Sequence, residues 1–359
     1  MIRLIKPYIS FEDVEQEFRE IFDSGILTRG RYSAELPDTL CSYTGAQHAF
    51  NATSATTALA AALEVLGIGN GDEVVVADFS FPASANVVEA CGAKPVFADV
   101  DRETYNMLPA ELEKKIGPRT KAVIFVCALG NPTGLAEISS ICKAKSIPLI
   151  NDAACAIGSS ENGKMVGNIA DIECFSFHPR KLLTSGEGGA ILTNNDEYAK
   201  KLAVKLAHGA VPHDGALDFI TYGYNYRLPE LQCLMLIKQI EKLDAIVRER
   251  NETQKQYAAL LSGAGYVPQK AGANVLHNMQ SIVFSVPEAI SRDGLIEHLK
   301  QQDIESTIGT YCLSACTYYQ NKYDDMQPNA DWLFKNTITL PCYTDIDVDF
   351  VANAILEYR

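Results

Sequence analysis

Between residues 49 and 193, short apolar runs alternate with segments whose apolar residues recur at helical spacing. Apolar runs of roughly four to eight residues bounded by turn formers predict buried strands, and the longer periodic segments predict helices. The predicted strands are Ala49–Ala52, Glu73–Ala77, Pro95–Val100, Ala122–Ala128, Pro148–Asn151, Ile172–Phe177 and Ala190–Thr193. The predicted helices between them are an alanine-rich segment that ends at Leu66, Pro82–Cys91, Pro109–Lys115 and Ile138–Lys145. This alternation predicts an α/β fold with a mostly parallel, seven-stranded sheet between helices.

The chain on either side of this region is more helical. Ser10 and Asp13 have the spacing of a capping box and predict the start of a helix that ends at Ser24 and Gly25. The other predicted elements are helices Ser33–Thr44, Asp196–His208, Leu228–Arg250, Ser291–Gln302 and Val348–Tyr358, strands Ser281–Val286 and Ile338–Pro341, and a loop over residues 211–226. We therefore expect a large domain over residues 10–245 and a smaller α+β C-terminal domain over residues 246–359, together with residues 1–9.

The composition limits the classes of partner. The chain has 359 residues, of which 47% are hydrophobic and 21% charged, and its net charge is −14. This charge disfavours nucleic acid and anionic membranes, because their phosphates are also negative. The N-terminal segment lacks the apolar stretch of a signal peptide, and no apolar run has the length of a membrane span. The ten cysteines are scattered without zinc-like spacing, so we expect free thiols in the reducing cytoplasm and no metal site.

Two loops that follow predicted strands carry groups suited to a phosphate and to a planar ring. Ligands of parallel α/β sheets bind beyond the carboxyl ends of the strands, near helix N-termini. Residues 53–56, Thr-Ser-Ala-Thr, open the alanine-rich helix, and they either bind a phosphate or serve only as an N-cap. Residues 79–82, Phe-Ser-Phe-Pro, place an aromatic ring at a strand end, where it either stacks on a ligand or belongs to the core.

An acid and a lysine follow later in the chain. Asp152 comes directly after an apolar run, where an unpaired charge is costly, so it either has a cationic partner such as a protonated pyridine nitrogen or caps a helix. Lys181 lies between two predicted strands among turn formers, and such a lysine is either a surface charge or an amine nucleophile that titrates low. Pyridoxal phosphate (PLP) requires each of these groups: an anion site, a stacking ring, an acid and a Schiff-base lysine.

Eight longer segments extend this pattern. They are LTRG (27–30), TSATTAL (53–59), GDEVVVADFSFPAS (71–84), GAKPVFADVDRETYN (92–106), RTKAVIFV (119–126), NDAACAIGS (151–159), FSFHPRKLLTSGEGGAILTN (175–194) and GYNYRLPELQ (223–232). In this order they resemble the fold-type I PLP-dependent enzymes and, within them, the sugar-nucleotide aminotransferases of the DegT/StrS type. The resemblance covers about residues 10 to 250 and is looser beyond them.

The resemblance implies a role for each candidate residue. It implies that Lys181 is the Schiff-base lysine and proton shuttle, and that Asp152 contacts the pyridine nitrogen. Phe81 would lie on the face of the cofactor ring, and Ala154 beneath the ring. The implied phosphate contacts are Ser54, Ala55, Thr56 and Ser176. The resemblance also implies a homodimer with shared active sites, in which Asn225 of one chain reaches the phosphate bound by its partner.

Three positions depart from the family pattern. Asn151 replaces the usual Glu, and Cys127 stands where a His is common. Cys155 replaces a Gln that lies near the phenolic oxygen of the cofactor, so Cys155 is expected at the same place. Lys181 is retained, which argues against the dehydratase branch of the family, where a histidine replaces it.

The predicted activity is transamination. The resemblance implies a cytoplasmic, dimeric aminotransferase that moves an amino group from an amino acid, glutamate in most relatives, to a keto-sugar attached to a nucleotide. Residues 131–134, Asn-Pro-Thr-Gly, are also a signature of amino-acid aminotransferases, which keeps that activity as an alternative. The three departures keep a second alternative, a PLP-binding protein that regulates or assembles without transamination.

Overall fold

The computed structural model describes residues 1–358. Its α-helices are α1 (Glu15–Ser24), α2 (Arg31–Thr44), α3 (Ala55–Val65), α4 (Ala83–Ala90), α5 (Pro109–Lys115), α6 (Leu135–Ala144), α7 (Asp196–Lys205), α8 (Glu230–Ile240), α9 (Leu243–Leu261), α10 (Arg292–Gln301), α11 (Thr317–Tyr323), α12 (Pro328–Asn336) and α13 (Val348–Glu357). Two 3₁₀ turns lie at Ala128–Gly130 and Ser262–Ala264. None of the helices in the described part of the chain is long and apolar enough to cross a membrane.

The strands range from two to seven residues in length. They are β1 (His48–Ala52), β2 (Glu73–Ala77), β3 (Phe79–Ser80), β4 (Lys94–Ala98), β5 (Thr120–Val126), β6 (Leu149–Asp152), β7 (Ser160–Glu161), β8 (Lys164–Met165), β9 (Ile172–Ser176), β10 (Gly189–Thr193), β11 (Ala210–His213), β12 (Ala216–Phe219), β13 (Val267–Pro268), β14 (Val275–Leu276), β15 (Ile282–Ser285), β16 (Thr307–Ile308), β17 (Tyr311–Cys312) and β18 (Thr337–Leu340).

Seven strands form the central sheet in the order β1-β10-β9-β6-β5-β2-β4. The pairs β9–β6, β6–β5, β5–β2 and β2–β4 are parallel, and β10 is antiparallel to both of its neighbours. The central strands are almost entirely buried, which explains why they read as continuous apolar runs. The predicted α/β fold with a mostly parallel seven-stranded sheet is confirmed.

A second sheet belongs to the C-terminal part of the chain. Strands β13, β15, β18 and β16 form it in that order with antiparallel pairs, and its core is a separate apolar cluster that includes Tyr257, Phe284, Ile338 and Val351. Strand β17 leaves this region and pairs with β3 beside the central sheet. The domain boundary between residues 245 and 246 stays a prediction, and it falls inside α9.

Three of the predicted elements are wrong in detail. The predicted helix Leu228–Arg250 is two helices, because the chain breaks at residues 241–242 so that α8 packs on α2 and α9 packs on α13. The predicted loop 211–226 contains the hairpin β11–β12, whose turn residues Asp214 and Gly215 both have positive φ. Helix α1 begins at Glu15 and not at Ser10, although Asp13 does accept a hydrogen bond from the Ser10 N–H at 2.9 Å.

Candidate active site

A cavity of about 660 Å³ opens where the parallel strands β5, β6 and β9 end. The last residues of these strands, Val126, Asp152 and Ser176, all line it. Nine of the predicted site residues lie in its wall: Ser54, Ala55, Thr56, Phe81, Asp152, Ala154, Cys155, Ser176 and Lys181. Residues of the C-terminal part, among them Thr307–Tyr311, complete the wall. The strand topology therefore brings together groups that are more than 100 residues apart in the chain.

Lys181 lies in the loop between β9 and β10 and is half-buried. Its Nζ donates a hydrogen bond to Cys155 Sγ at 3.0 Å. Burial lowers the pKa of Lys181, but its interactions with Cys155 and Asp152 outweigh burial, so the pKa is raised above its usual value. The low titration expected of this lysine is therefore wrong for the protein alone, because its neighbours favour the ammonium form. The alternative of a plain surface charge is excluded by the location of the side chain.

Asp152 ends β6 and is only 6% exposed. Its carboxylate accepts hydrogen bonds from the Ser84 hydroxyl at 2.6 Å and from the Ala154 N–H at 3.2 Å. Burial raises the pKa of Asp152, while Ser84, Ala154 and Lys181 oppose that shift. In the described chain no helix begins between Asp152 and Asp196, so helix capping does not account for this acid. The site thus holds a buried acid that gains from a cationic partner.

The loop at residues 53–56 is a helix cap that faces the cavity. Ser54 Oγ accepts the Thr57 N–H at 3.1 Å and the Thr57 hydroxyl accepts the Ser54 N–H at 3.0 Å, which is a reciprocal cap of α3. The first-turn N–H groups of Ala55 and Thr56 have no acceptor within their own helix, as at every helix start. The structure confirms that the segment caps α3, and phosphate binding stays a prediction. The same residues present hydroxyls and amides in the cavity wall, as an anion site requires.

Gly189, the first residue of β10, lets this cap approach the sheet. A Cβ at this position would lie 2.5 Å from the carbonyl oxygen of Ser54 and 2.8 Å from the Ala55 nitrogen, which is closer than atoms can pack. Ser176 at the end of the neighbouring strand β9 also lines the cavity. Glycine at residue 189 therefore lets the first residue of β10 pack directly against the backbone at the start of α3.

Of the two phenylalanines in residues 79–82, one belongs to the core and the other lies at the cavity. Phe79 is completely buried in the core, whereas Phe81 is 63% exposed and lies in the cavity wall. The Phe81 ring meets the ring of Tyr311 edge to face, with 6.2 Å between centroids. Phe81 is thus a large apolar ring left uncovered at the cavity, and Tyr311 is a neighbour that the sequence analysis missed.

The remaining predicted residue, Asn225, does not line the cavity. It is exposed in the segment that links the β11–β12 hairpin to α8. The apolar residues Leu217 and Phe219 of β12 and Ile220 and Tyr222 of the linking segment are also exposed. Within a single chain the structure therefore separates Asn225 from the other nine residues.

The two departures at Cys127 and Asn151 prove to be in contact. Cys127 Sγ donates a hydrogen bond to Asn151 Oδ1 at 3.3 Å, and Asn151 Nδ2 donates to Glu173 Oε2 at 2.7 Å. All three side chains are buried, and burial raises the pKa of Cys127 and of Glu173. Because successive side chains of a strand point to opposite faces, Asn151 points away from the face that Asp152 presents to the cavity.

The Asn-Pro-Thr-Gly segment does not contribute to the cavity. Asn131 is fully buried and donates hydrogen bonds to the Thr104 and Lys270 carbonyls at 3.2 and 2.8 Å. Its Oδ1 accepts hydrogen bonds from the N–H and hydroxyl of Thr133 at 3.1 and 2.6 Å. These contacts explain Asn131 as a loop-stabilising residue, so the motif does not support the alternative of an amino-acid aminotransferase.

Several polar residues of the site were missed by sequence reasoning. Ser84 bonds Asp152, and Arg250 and Gln280 line the cavity from the C-terminal side. The one sequence signal for Gln280 is its position two residues before the apolar strand β15. Among residues 1–358 no group of three His, Cys, Asp or Glu side chains is placed to hold a metal ion.

The donor set fits the PLP that the sequence predicts. The cavity combines hydroxyls and first-turn amides at residues 54–56, an uncovered ring at Phe81, a buried carboxylate at Asp152 and an amine at Lys181. These match the phosphate, the ring, the pyridine nitrogen and the aldehyde of that cofactor.

Comparison with known proteins gives one consistent family. The model of the DegT/DnrJ/EryC1/StrS aminotransferase family matches residues 9–356. MJ1066, an uncharacterized protein of Methanocaldococcus jannaschii, is 32% identical, and the match covers 95% of this chain and 94% of that protein. Spr1654 from Streptococcus pneumoniae, described as a sugar aminotransferase and also solved in a PLP form, superposes with a TM-score of 0.93 at 27% identity over 99% of this chain and 98% of its own.

A third similar structure is PseC of Helicobacter pylori. Its TM-score is 0.93 at 26% identity, again over 99% of this chain and 98% of the other. PseC is described as an aminotransferase involved in the biosynthesis of pseudoaminic acid.

Proposed function

We propose a specific reaction for this chain, which belongs to the DegT/DnrJ/EryC1/StrS aminotransferase family and is a PLP-dependent aminotransferase. In this reaction an amino acid, with glutamate as the first candidate, donates its amino group to a keto-sugar linked to a nucleotide. The observation that carries the proposal is the single cavity that holds Lys181 and Asp152 beside the capped start of α3. The resemblance to sugar aminotransferases over nearly the whole chain supports the sugar as acceptor.

We assign roles to the residues of this cavity. When bound, PLP supplies an aldehyde that accepts an amino group and a ring that withdraws electrons. Lys181 would bond the aldehyde and, once released, carry a proton on Nζ to and from the α-carbon of the amino donor. Asp152 would keep a proton on the ring nitrogen, because a buried carboxylate is stabilised by an adjacent cation.

The other cavity residues would hold and orient the cofactor. Ser54, Ser176 and the first-turn amides of Ala55 and Thr56 would bind the phosphate, since helix N-termini attract anions. Phe81 would pack on the ring face and Ala154 beneath the ring. Cys155 would lie beside the phenolic oxygen, next to Lys181.

We further propose that the working form is a homodimer in the reducing cytoplasm. Asn225 is exposed and lies outside the cavity of its own chain, which supports its contact with the phosphate in a partner. The exposed apolar residues Leu217 and Phe219 of β12 and Ile220 and Tyr222 after it support a contact surface near Asn225. The cysteines are free thiols, as the cytoplasm favours.

Mixing two inactive variants tests the shared site. Lys181→Ala and Asn225→Ala, refolded together, should form mixed dimers in which one of the two sites has both residues intact. With random pairing, activity should return to about a quarter of that of the wild type. Activity no higher than the sum of the separate variants would contradict the shared site and leave the assignment of Lys181 untouched.

The substrate is tested with a panel of nucleotide keto-sugars and glutamate, read by mass spectrometry for the amino product. The purified protein should show a visible absorbance band that glutamate converts, and Lys181→Ala should lose both the band and turnover. Lys164→Ala is the matched control, because Lys164 is exposed and lies outside the cavity. Product formed only from small keto acids would replace the sugar with an amino-acid reaction, and a band that no amino donor converts would overturn the proposed reaction.

A further inference from the structure

The segment that carries Lys181 is buried but has no regular secondary structure. Between β9 and β10, residues 182–185 are buried and belong to neither a helix nor a strand. Buried N–H and C=O groups need hydrogen-bond partners, and here no ladder supplies them. The Ser185 N–H donates to the Phe177 carbonyl at 3.1 Å. Three glutamine side chains from distant parts of the chain supply further partners: Gln232, Gln239 and Gln280.

Gln280 contacts the backbone on both sides of Lys181. Its Oε1 accepts the Leu182 N–H at 2.6 Å, and its Nε2 donates to the Arg180 carbonyl at 2.8 Å. One side-chain amide therefore brackets Lys181 with two opposed hydrogen bonds. Such a pair restricts rotation of the backbone about Lys181 more than a single bond would, and so fixes the direction in which the side chain leaves.

Gln280 is itself held from two directions. Its N–H donates to Asn278 Oδ1 at 2.9 Å, and its carbonyl accepts from Arg250 Nη2 at 2.9 Å. Arg250, which is 1% exposed, also donates through Nε to the Met279 carbonyl at 2.6 Å. The glutamine thus extends from a rigid point of the C-terminal part, and it transfers that position to the loop of Lys181.

Gln239 makes the same kind of contact three residues further along. Its Oε1 accepts the Thr184 N–H at 3.0 Å, and its Nε2 donates to the Thr184 carbonyl at 2.8 Å and to the Met235 carbonyl at 2.7 Å. Gln239 is completely buried but does not line the cavity. It therefore stabilises the loop without touching the residues adjacent to Lys181.

We propose that Gln280 is a positioning residue for Lys181: its two backbone hydrogen bonds hold Nζ at the place where it meets Cys155 and the Asp152 side of the cavity. The proposal rests on the proposed function of Lys181 as the amine that bonds the cofactor and carries the proton. Such a proton carrier is sensitive to displacement, since a misplacement of about 1 Å can cost about a hundredfold in rate.

Gln280→Met and Gln239→Met test the proposal as a matched pair, because each removes a glutamine clamp, keeps the side-chain volume close and changes no charge. Both variants should lower the melting temperature. In the holoenzyme, Gln280→Met should reduce the single-turnover rate with glutamate about tenfold or more while KM changes little. Gln239→Met should keep the wild-type rate per folded molecule.

A second readout follows Lys181 itself. In the apoprotein, the pH midpoint for modification of Lys181 by an amine-specific reagent is measured by peptide mass spectrometry. This midpoint should differ from the wild-type value in Gln280→Met, because Nζ leaves its contact with Cys155, and should be unchanged in Gln239→Met. Equal losses of rate in the two variants, or a wild-type rate and midpoint in Gln280→Met, would overturn the proposal.

A second pair of variants and a labelling experiment cover the case in which Gln280→Met does not fold and separate the role of Gln280 from that of Lys181. If Gln280→Met does not fold, Gln280→Glu and Gln239→Glu make the same comparison, since Gln280→Glu keeps the acceptor for the Leu182 N–H and loses the donor to Arg180. Borohydride reduction of the wild-type holoenzyme locates the cofactor. A label elsewhere than Lys181 would refute the proposed function, whereas a label on Lys181 with an unaltered Gln280→Met would refute the role of Gln280 alone.

Discussion

Replacing Ser84 with alanine removes the shortest hydrogen bond to the buried carboxylate of Asp152. The Ser84 hydroxyl donates to Asp152 Oδ2 at 2.6 Å, and the other hydrogen bond to this carboxylate, from the Ala154 N–H, is longer at 3.2 Å. A hydrogen bond to a charged group contributes about 1.5–3 kcal/mol. Its loss should therefore raise the pKa of Asp152 beyond the rise already caused by burial.

This shift has a defined sign for activity and for stability. The proposed role of Asp152 needs its ionised form, so the acid limb of kcat/KM in Ser84→Ala should move to higher pH than in the wild type. The two rates should converge at still higher pH, where Asp152 is ionised in both proteins. The folded pKa of Asp152 lies above 3.8, the ordinary value for this side chain. Its contribution to stability is therefore fully present below that value and is lost as pH rises through the folded pKa, and Ser84→Ala extends the loss to higher pH.

Ser80→Ala is the graded control for this experiment. Ser80 Oγ lies 2.7 Å from Ser84 Oγ, and because Ser84 donates to Asp152, Ser80 is placed to donate to Ser84. Ser80→Ala removes a hydrogen bond to the Ser84 hydroxyl and none to the carboxylate of Asp152. It should therefore shift the acid limb of kcat/KM by less than Ser84→Ala does. A wild-type pH profile in Ser84→Ala, or equal shifts in the two variants, would refute the argument that this hydroxyl holds Asp152 ionised.

Three further changes test other positions, two at the candidate site and one at Asp78, a buried carboxylate that accepts hydrogen bonds from the N–H and hydroxyl of Ser314. Gly189→Ala should destabilise the protein by about 1–3 kcal/mol, because the new Cβ would lie 2.5 Å from the Ser54 carbonyl oxygen and must displace the start of α3. The same displacement should weaken PLP binding. Denaturant unfolding and PLP titration measure the two effects, and an unchanged PLP affinity would contradict the proposed phosphate site at the start of α3. Cys155→Ser should lower the pKa of Lys181 by removing its charge interaction with Cys155, and an unmoved midpoint of Lys181 modification would contradict it. Burial raises the pKa of Asp78 to about 7. This group should therefore make the free energy of unfolding fall by roughly 1.4 kcal/mol per pH unit between about pH 4 and 7, and Asp78→Asn should remove that fall. The same pH dependence of the free energy of unfolding in the variant and the wild type would contradict this prediction.

The central sheet was predictable because its strands carry their signal locally. Strands buried on both faces must be apolar throughout, so β2, β5 and β6 read directly from the sequence to within two residues at each end. The break between α8 and α9 has no comparable signal, because it follows from which helices the two segments pack against. The hairpin β11–β12 was predictable in principle, since Asp214-Gly215 is a strong two-residue turn signal.

The residues of the candidate site also include some that the sequence could predict and some that it could not. Asp152, Ser176 and the residues at the start of α3 lie at strand ends or helix starts, and the topology of a parallel sheet brings such positions together. Gln280, Arg250 and Tyr311 could not be predicted, because they reach the cavity only through the packing of the C-terminal part against the central sheet. Tyr311 does so through the pairing of β17 with β3, and Gln280 through its bonds to Arg180 and Leu182.

The departures from the family pattern at Cys127 and Asn151 can be explained only from their contacts in the structure. Asn151 donates to Glu173, and Glu173 Oε1 already accepts the N–H groups of Ile169 and Ala170 at 2.9 and 3.0 Å. A glutamate at residue 151, as the family usually has, would place a second carboxylate against this buried one with no cation to pair either. Asparagine instead donates to Glu173 and accepts from Cys127, so the two departures form one continuous hydrogen-bond chain. Asn151 points away from the face that Asp152 presents to the cavity, whereas Cys127 lines the cavity. Neither side chain makes a hydrogen bond to the side chain of Asp152 or of Lys181. The contacts with Glu173 and with each other therefore explain the residues at positions 127 and 151. These two departures give no reason to infer a loss of transamination.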